Sequence, residues 1–159
     1  MRYFVDTEYD WHPKEGRIVP IGIGIVAEDG REFYAITTDF IPGTCSPFVE
    51  EHVLPKLTAS VGYAPIHNER GVVAGLIKKF IGDDAPEFWG DCAAFDYVVL
   101  SMIMGDFADW PEGWPMHFND CRQEAVPELA SAVPHHALAD ARAIRDSWDW
   151  AFQKAEVKA

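Results

Sequence analysis

The first forty residues alternate between apolar, β-branched runs and short polar turns, and this pattern predicts three β-strands. The first strand covers about residues 2–7, and the apolar run at 17–27 forms the second. The hairpin signal Glu-Asp-Gly at 28–30 leads into a third strand at 31–38. Because proline cannot donate to a strand ladder, Pro20 marks the start of the second strand or a bulge in it. This part of the chain is therefore predicted to be an antiparallel meander.

The rest of the chain follows helical spacing, with short strands between the helices. Helical spacing occurs at 47–58, interrupted at Pro55, and a helix capped by Asn68 is predicted to end at Ile81, before Gly82. The later predicted elements are a strand at 87–90, a helix at 94–104, a turn-rich aromatic loop at 106–115, a strand at 116–119, and helices at 120–130 and 137–155. A meander followed by alternating helices and strands favours an α/β fold, with a mixed sheet and helices packed on it.

Length and composition are those of an ordinary globular protein. The 159 residues suffice for one domain, 1–159, and 48% of them are hydrophobic. There is no apolar run of about 18 residues and no signal-peptide pattern, so we expect a cytoplasmic protein without a membrane span. The cysteines Cys45, Cys92 and Cys121 are scattered, which argues against a disulfide framework and against a zinc cluster.

The formal net charge of −13 restricts how this chain can meet nucleic acid. Proteins that grip long duplexes carry a basic surface, and this one is acidic. If it handles nucleic acid, we expect it to hold a short segment through metal ions and a few local contacts. The charge is equally compatible with a protein that never meets nucleic acid.

Three separate segments each place a carboxylate at the edge of an apolar face. Asp6 and Glu8 lie two residues apart at the end of the first strand, so their side chains share one face. Asp96 and Asp140 each lie in the first turn of a predicted helix, where an acid is also explained by the helix N-terminus. Together, such acids suit two Mg²⁺ or Mn²⁺ ions about 3.5–4 Å apart, and a nearby histidine would accept a proton from water.

The order and spacing of these residues resemble the DEDDh family of 3′→5′ exonucleases, which have the ribonuclease-H-like fold. The family's Asp-x-Glu motif is matched at 6–8, its Phe-Asp motif at 95–96, and its His-x-Ala-x-x-Asp motif at 135–140. The last spacing selects His135 as the base, and His136 is then expected to be a surface side chain. The resemblance implies a five-stranded sheet whose first three strands are antiparallel, magnesium dependence and homodimers.

The compact size, the end of the meander and the Phe-Trp-Gly-Asp at 88–91 are similar to a narrower group, the actinobacterial exoribonucleases called RNase AS. This resemblance implies hydrolysis of single-stranded RNA 3′ ends to 5′-nucleoside monophosphates, with adenylate-rich ends favoured. One departure is Asp91-Cys92, which stands where many family members have His-Asn. It leaves the metal ligands intact and changes the local substrate contacts.

In the implied mechanism, one ion acts with His135 to generate the attacking hydroxide, and the other stabilises the departing 3′ oxygen. The ligands of the two ions would be Asp6, Glu8, Asp96 and Asp140. Recognition of the terminal base needs stacking or an apolar wedge. The candidate substrate contacts, by position, are Thr7, Tyr9, Trp11 and His12.

Two other functions remain open. A DNA-directed 3′→5′ exonuclease would keep the same catalytic residues, whereas the complete set of acids with His135 argues against an inert nucleic-acid-binding module. For the aromatic loop with Trp110 and Trp114, packing or dimerisation is favoured over substrate contact. Four arginines could each touch phosphate, although a solvated surface is the safer interpretation of any one of them: Arg17, Arg70, Arg122 and Arg142.

Overall fold

The computed structural model describes residues 1–124 and 126–156, which form a mixed six-stranded sheet with α-helices on both faces. The strands are β1 (Arg2–His12), β2 (Arg17–Ala27), β3 (Glu32–Thr37), β4 (Ile66–Asn68), β5 (Glu87–Gly90) and β6 (Asn119–Asp120). The helices are α1 (Arg70–Ile81), α2 (Ala93–Met104) and α3 (Ala137–Glu156). None of the helices within the described residues is long and apolar enough to cross a membrane.

The strand order β4-β3-β2-β1-β5-β6 confirms the predicted class of fold. β1, β2 and β3 pair antiparallel, whereas β5 pairs parallel with β1 and with β6. The sheet has six strands rather than the five expected, because β4 adds parallel to the free edge of β3. The sequence of β4 is only Ile-His-Asn, too short to show the alternation by which strands are predicted.

A β-bulge shapes the central hairpin next to the first acidic motif. Glu8 lies opposite Gly22 and Tyr9 lies opposite Pro20, so Ile21 is the extra residue on β2. The bulge predicted at Pro20 is therefore confirmed. Bulges increase local twist and re-aim neighbouring side chains, and this one lies directly beside Glu8.

The two faces of the sheet carry different helices. Tyr3 and Val5 are fully buried in a cluster with α1 and α2, whereas Phe4 packs against Ile144 of α3. Since side chains alternate along a strand, the even-numbered positions of β1 face α3. Asp6 and Glu8 therefore project toward α3.

α3 packs unusually close to the sheet because β2 has a glycine at the crossing. A Cβ on Gly24 would lie 2.4 Å from the carbonyl carbon and oxygen of Ala137 and from the amide nitrogen of Leu138. Farther along the helix, Arg142 binds Glu32 of β3 through two hydrogen bonds of 2.7 and 2.6 Å. These contacts fix the first turns of α3 over β2 and β3.

Two predicted helical segments differ in detail from the structure. The segment 47–58 is helical but irregular, with a π-helical turn at Val49–Val53 followed by a 3₁₀ turn at Leu54–Lys56. α1 begins one residue later than predicted, after Glu69, and ends at Gly82 as expected.

The predicted helix at 120–130 is wrong, because its described residues form turns and irregular backbone. The carboxylate of Asp120 accepts hydrogen bonds from the amides of Arg122 and Gln123, and also from Ala93 at the start of α2. These contacts start a single helical turn, in which the amide of Glu124 also donates to the carbonyl of Asp120. The helix does not continue, because Pro127 has no amide hydrogen and disfavours helical backbone at the residue before it. The strand predicted just before it is reduced to β6.

Candidate active site

Three of the four predicted acids meet where β1 faces the first turn of α3. Asp6, Glu8 and Asp140 each offer one carboxylate oxygen, and these oxygens lie within 4.8 Å of one another. Asp6 and Asp140 are half-buried, and Glu8 is only 7% exposed. The close approach of α3 at Gly24, the residue paired with Asp6, brings Asp140 to the strand.

The fourth acid, Asp96, reaches the site from α2 on the opposite face of the sheet. Its Oδ1 accepts hydrogen bonds from the backbone amide (3.0 Å) and the hydroxyl (2.7 Å) of Thr7, between the two acids of β1. A Cβ on Gly90 would lie 3.0 Å from Oδ2 of Asp96, so the glycine leaves room for this carboxylate. Asp96 is thus held beside the other three rather than inside their tight group.

Crowding of buried carboxylates raises their pKa values. Burial, followed by the charges of Asp96, Glu8 and Asp140, raises the pKa of Asp6 well above its usual range. Burial and the charges of Asp140 and Asp96 raise the pKa of Glu8 to about 8, although nearby Lys56 opposes the shift. Burial raises the pKa of Asp96 to about 7, against the hydrogen bonds from Thr7.

This donor set fits hard divalent cations. The side chains supply only oxygen, which Mg²⁺ and Mn²⁺ prefer, and their mutual repulsion is relieved when a cation lies between them. Among the described residues, the group around Asp6, Glu8 and Asp140 is the one whose donor atoms approach closely enough to share an ion.

His135 lies at the mouth of the acidic cluster. Its backbone adopts a left-handed conformation, with φ of 63°, and its amide donates a 2.9 Å hydrogen bond to Oδ2 of Asp140. The exposed imidazole packs edge-to-face on Phe48, with ring centroids 5.2 Å apart. The backbone bond therefore ties the predicted base directly to a predicted metal ligand.

His136 is not the surface side chain that the sequence suggested. It is fully buried, its ring lies 4.6 Å from that of Tyr34, and its Nδ1 accepts a 3.4 Å hydrogen bond from the amide of Ala139. Burial lowers the pKa of this imidazole, which favours the neutral form. His136 therefore caps the start of α3, because the chain turns inward directly after His135.

Two cavities flank the acids, and both are lined by Asp6, His135 and Asp140. The smaller, of about 360 Å³, is closed by Phe48 and by the first residues after Glu8. The larger, of about 700 Å³, extends along the irregular segment after β6. The acids therefore lie at a junction between two clefts.

The predicted substrate contacts occupy different places around the smaller cavity. Thr7, Tyr9 and Trp11 line it, and the rings of Tyr9 and Trp11 both pack on Phe95 of α2. The hydroxyl of Thr7 already donates a hydrogen bond to the carboxylate of Asp96. His12 does not line the cavity, because its Nε2 lies 2.7 Å from the carboxylate of Asp10.

Other site residues were missed by the sequence analysis. Phe48 and Gly24 lie in an irregular helical segment and in an apolar strand, where neither carries a motif. The one available signal was a glycine inside a predicted strand, which often marks a close approach of another backbone. In the aromatic loop, Trp114 is buried and Trp110 packs edge-to-face on it, so packing is confirmed there.

Comparison with known proteins gives the family. No protein-family model matches the chain. Two curated relatives from strains of Mycobacterium tuberculosis, both named 3′-5′ exoribonuclease, are 35% identical over 153 residues, covering 89% of this chain and 88% of theirs. In structure, the chain is similar to cell-death related nuclease 4, with a TM-score of 0.59 and 12% identity, over 96% of this chain and 64% of that one. The structural likeness confirms the ribonuclease-H-like class of fold. On the strength of the sequence identity, the chain belongs to the 3′-5′ exoribonuclease family and is an exonuclease.

Proposed function

We propose that this protein is a metal-dependent exoribonuclease of the DEDDh type, which removes 5′-nucleoside monophosphates from the 3′ ends of single-stranded RNA. The observation that carries the proposal is the meeting of Asp6, Glu8 and Asp140 within 4.8 Å of one another. The relatives named 3′-5′ exoribonuclease support the direction and the substrate class.

Asp6, Glu8 and Asp140, with Asp96 beside them, would hold two Mg²⁺ or Mn²⁺ ions. Bound there, the ions would supply charge stabilisation for the attacking and departing oxygens of the phosphodiester. Thr7 orients Asp96 by donating two hydrogen bonds to Oδ1, and Oδ2 accepts none from the described residues.

His135 accepts the proton of the attacking water. The imidazole is exposed at the mouth of the cluster, where it lines both cavities and exchanges protons with solvent. Its backbone bond to Asp140 couples the position of the base to that of the ligand. The imidazolium then returns the proton to bulk water after cleavage.

The smaller cavity would take the terminal nucleoside. Its walls combine the acids with the rings of Tyr9, Trp11 and Phe48, and aromatic rings stack on any base. We extend the proposal to a preference for adenylate-rich ends, which stems from the resemblance to RNase AS, and to a homodimer, which stems from the resemblance to the DEDDh family. His12 would act there only indirectly, through Asp10.

The test is digestion of 5′-labelled single strands, RNA and DNA, with and without Mn²⁺. We expect a ladder that shortens from the 3′ end of RNA, and a 3′-phosphate should block it. Internal cuts, or equal digestion in EDTA, would contradict the proposal, and a preference for DNA would favour the DNA-directed alternative.

Three variants assign the roles. Asp6→Asn and Asp140→Asn should abolish turnover, and His135→Ala should lower it by about 10²–10⁴-fold while Mn²⁺ still binds. Asp146→Asn is the matched control, since Asp146 lies on α3 but pairs with Arg145 in solvent. Full activity of His135→Ala would remove the histidine from the mechanism.

A further inference from the structure

The two cavities that flank the acids differ in whether a cation lies in the wall, although the larger one also contains the carboxylates of Asp91 and Glu128. Among the described residues, no lysine or arginine lines the smaller cavity, whereas Arg122 lines the larger one. In a chain of net charge −13, a cation in the wall of a cleft that also contains the acids is unexpected on composition alone.

Arg122 is held in a fixed orientation by Asp91, one of the two residues that depart from the family pattern. Nε and Nη2 of the guanidinium both donate to the Asp91 carboxylate, the second at 2.9 Å. Nη2 also lies 3.6 Å from Oε2 of Glu128. Nη1 donates to no residue within 1–124 or 126–156, and the side chain is 58% exposed. A planar guanidinium bound along one edge presents its remaining donors in a defined direction.

In 3′→5′ cleavage, the phosphates other than the scissile one lie on only one side of the acids. The terminal nucleotide contributes the scissile phosphate alone, which must lie at the acids. Each nucleotide on the 5′ side brings a further phosphate, which the acidic surface of this chain would repel. The cavity that contains an arginine is therefore the better place for the 5′ part of the strand.

Resting on the function proposed above, we propose that the larger cavity takes the strand on the 5′ side of the scissile bond, and that Arg122, oriented by Asp91, binds a backbone phosphate there. Hydrogen bonds from a guanidinium to phosphate oxygens are charge-assisted and strong, and Nη1 of Arg122 offers N–H donors for them. The carboxylate of Asp91 offsets part of the guanidinium charge, which limits non-specific attraction of other anions to this surface.

The experiment compares Arg122→Gln with wild type on RNA from two to six nucleotides long. A dinucleotide with a 5′-hydroxyl has only the scissile phosphate, so its kcat/KM should change less than twofold. On longer strands we expect KM to rise about tenfold, the loss expected for one hydrogen bond to a charged group. Arg145→Gln is the matched control, because it removes the same charge from a residue outside both cavities.

A binding measurement separates phosphate contact from loss of structure. In the His135→Ala background, which slows cleavage, the affinity for a labelled hexanucleotide is measured by anisotropy from low to moderate salt. Arg122→Gln should reduce the slope of log Kd against log salt by about 0.7, the value for one phosphate of a single strand. Arg122→Lys should keep the slope, since it keeps the charge.

Three outcomes would overturn the inference. They are an equal loss on the dinucleotide, no loss at any length, or a loss with an unchanged salt slope, which would make the Asp91–Arg122 pair merely structural. By contrast, a wild-type protein inactive on every strand would refute the proposed nuclease function itself. The two failures are therefore distinguishable.

Discussion

Replacing Gly24 by alanine tests whether the close approach of α3 to the sheet positions the active site. The added Cβ would lie 2.4 Å from the Ala137 carbonyl and the Leu138 amide, whereas ordinary contact begins at 3.4 Å. The atoms in the way belong to the backbone, so no side chain can rotate aside. The start of α3 must therefore retreat by about 3.4 − 2.4 = 1.0 Å.

This retreat has two consequences of known size. Overpacking of a core costs about 1–3 kcal/mol of the free energy of unfolding. Asp140 lies in the first turn of α3, so its carboxylate moves with the helix, away from Asp6 and Glu8. A misplacement of about 1 Å in a catalytic site can cost about 10²-fold in rate.

The assay measures urea unfolding, Mn²⁺ affinity by calorimetry and kcat on a short RNA. For Gly24→Ala we expect lower stability, weaker Mn²⁺ binding and a kcat reduced about 10²-fold. Gly75→Ala is the control, because a Cβ on Gly75 in α1 meets nothing within 4 Å. The same change there should raise stability by about 0.8–1.0 kcal/mol and leave kcat unchanged. Wild-type Mn²⁺ affinity and kcat in Gly24→Ala would refute the reasoning.

Two further predictions concern the acids and the turn before α2. Because the folded protein holds a proton on Glu8 up to pH about 8 while the unfolded chain releases it near 4.5, metal-free stability should fall as pH rises through this window. Glu8→Gln should flatten that dependence in EDTA thermal melts and abolish activity, and an unchanged pH profile would contradict the pKa shift. Cys92 has φ of 56° and ψ of 43°, a left-handed conformation that asparagine tolerates and that costs most other residues about 1–2 kcal/mol. Cys92→Asn should therefore raise the free energy of unfolding by about 0.5–1 kcal/mol in urea titrations, and Cys92→Val should lower it.

Much of the candidate site could be predicted, because its chemistry is carried by residue type and local spacing. Asp6 and Glu8 share a face of β1 as the two-residue spacing required. Asp140 in the first turn of α3 was predicted from the helical period and lies in the tight group of acids. The roles of these residues stay predictions until the variants are measured.

Errors arose where local pattern and tertiary contact disagree. His136 is polar and stands beside an exposed histidine, yet the turn into α3 buries it against Tyr34. The segment after Asp120 has helix-forming residues and makes one helical turn, but Pro127 prevents the helix from continuing. The structure places His12 against Asp10 and outside the lining of the smaller cavity, and its contact with substrate stays a prediction.

The sequence by itself predicted the kind of chemistry, since four acids and a histidine stand at strand and helix ends in the order and spacing that resemble an exonuclease family. It also determined the meander, because alternation and turn residues act over a few positions. Only the tertiary structure decided which acids lie close together and that Thr7 holds Asp96 outside the tight group. It also decided that Arg122 lines one of the two cavities. Those outcomes depend on how closely segments far apart in the chain can approach, and at Gly24 and Gly90 the approach is possible because glycine has no side chain.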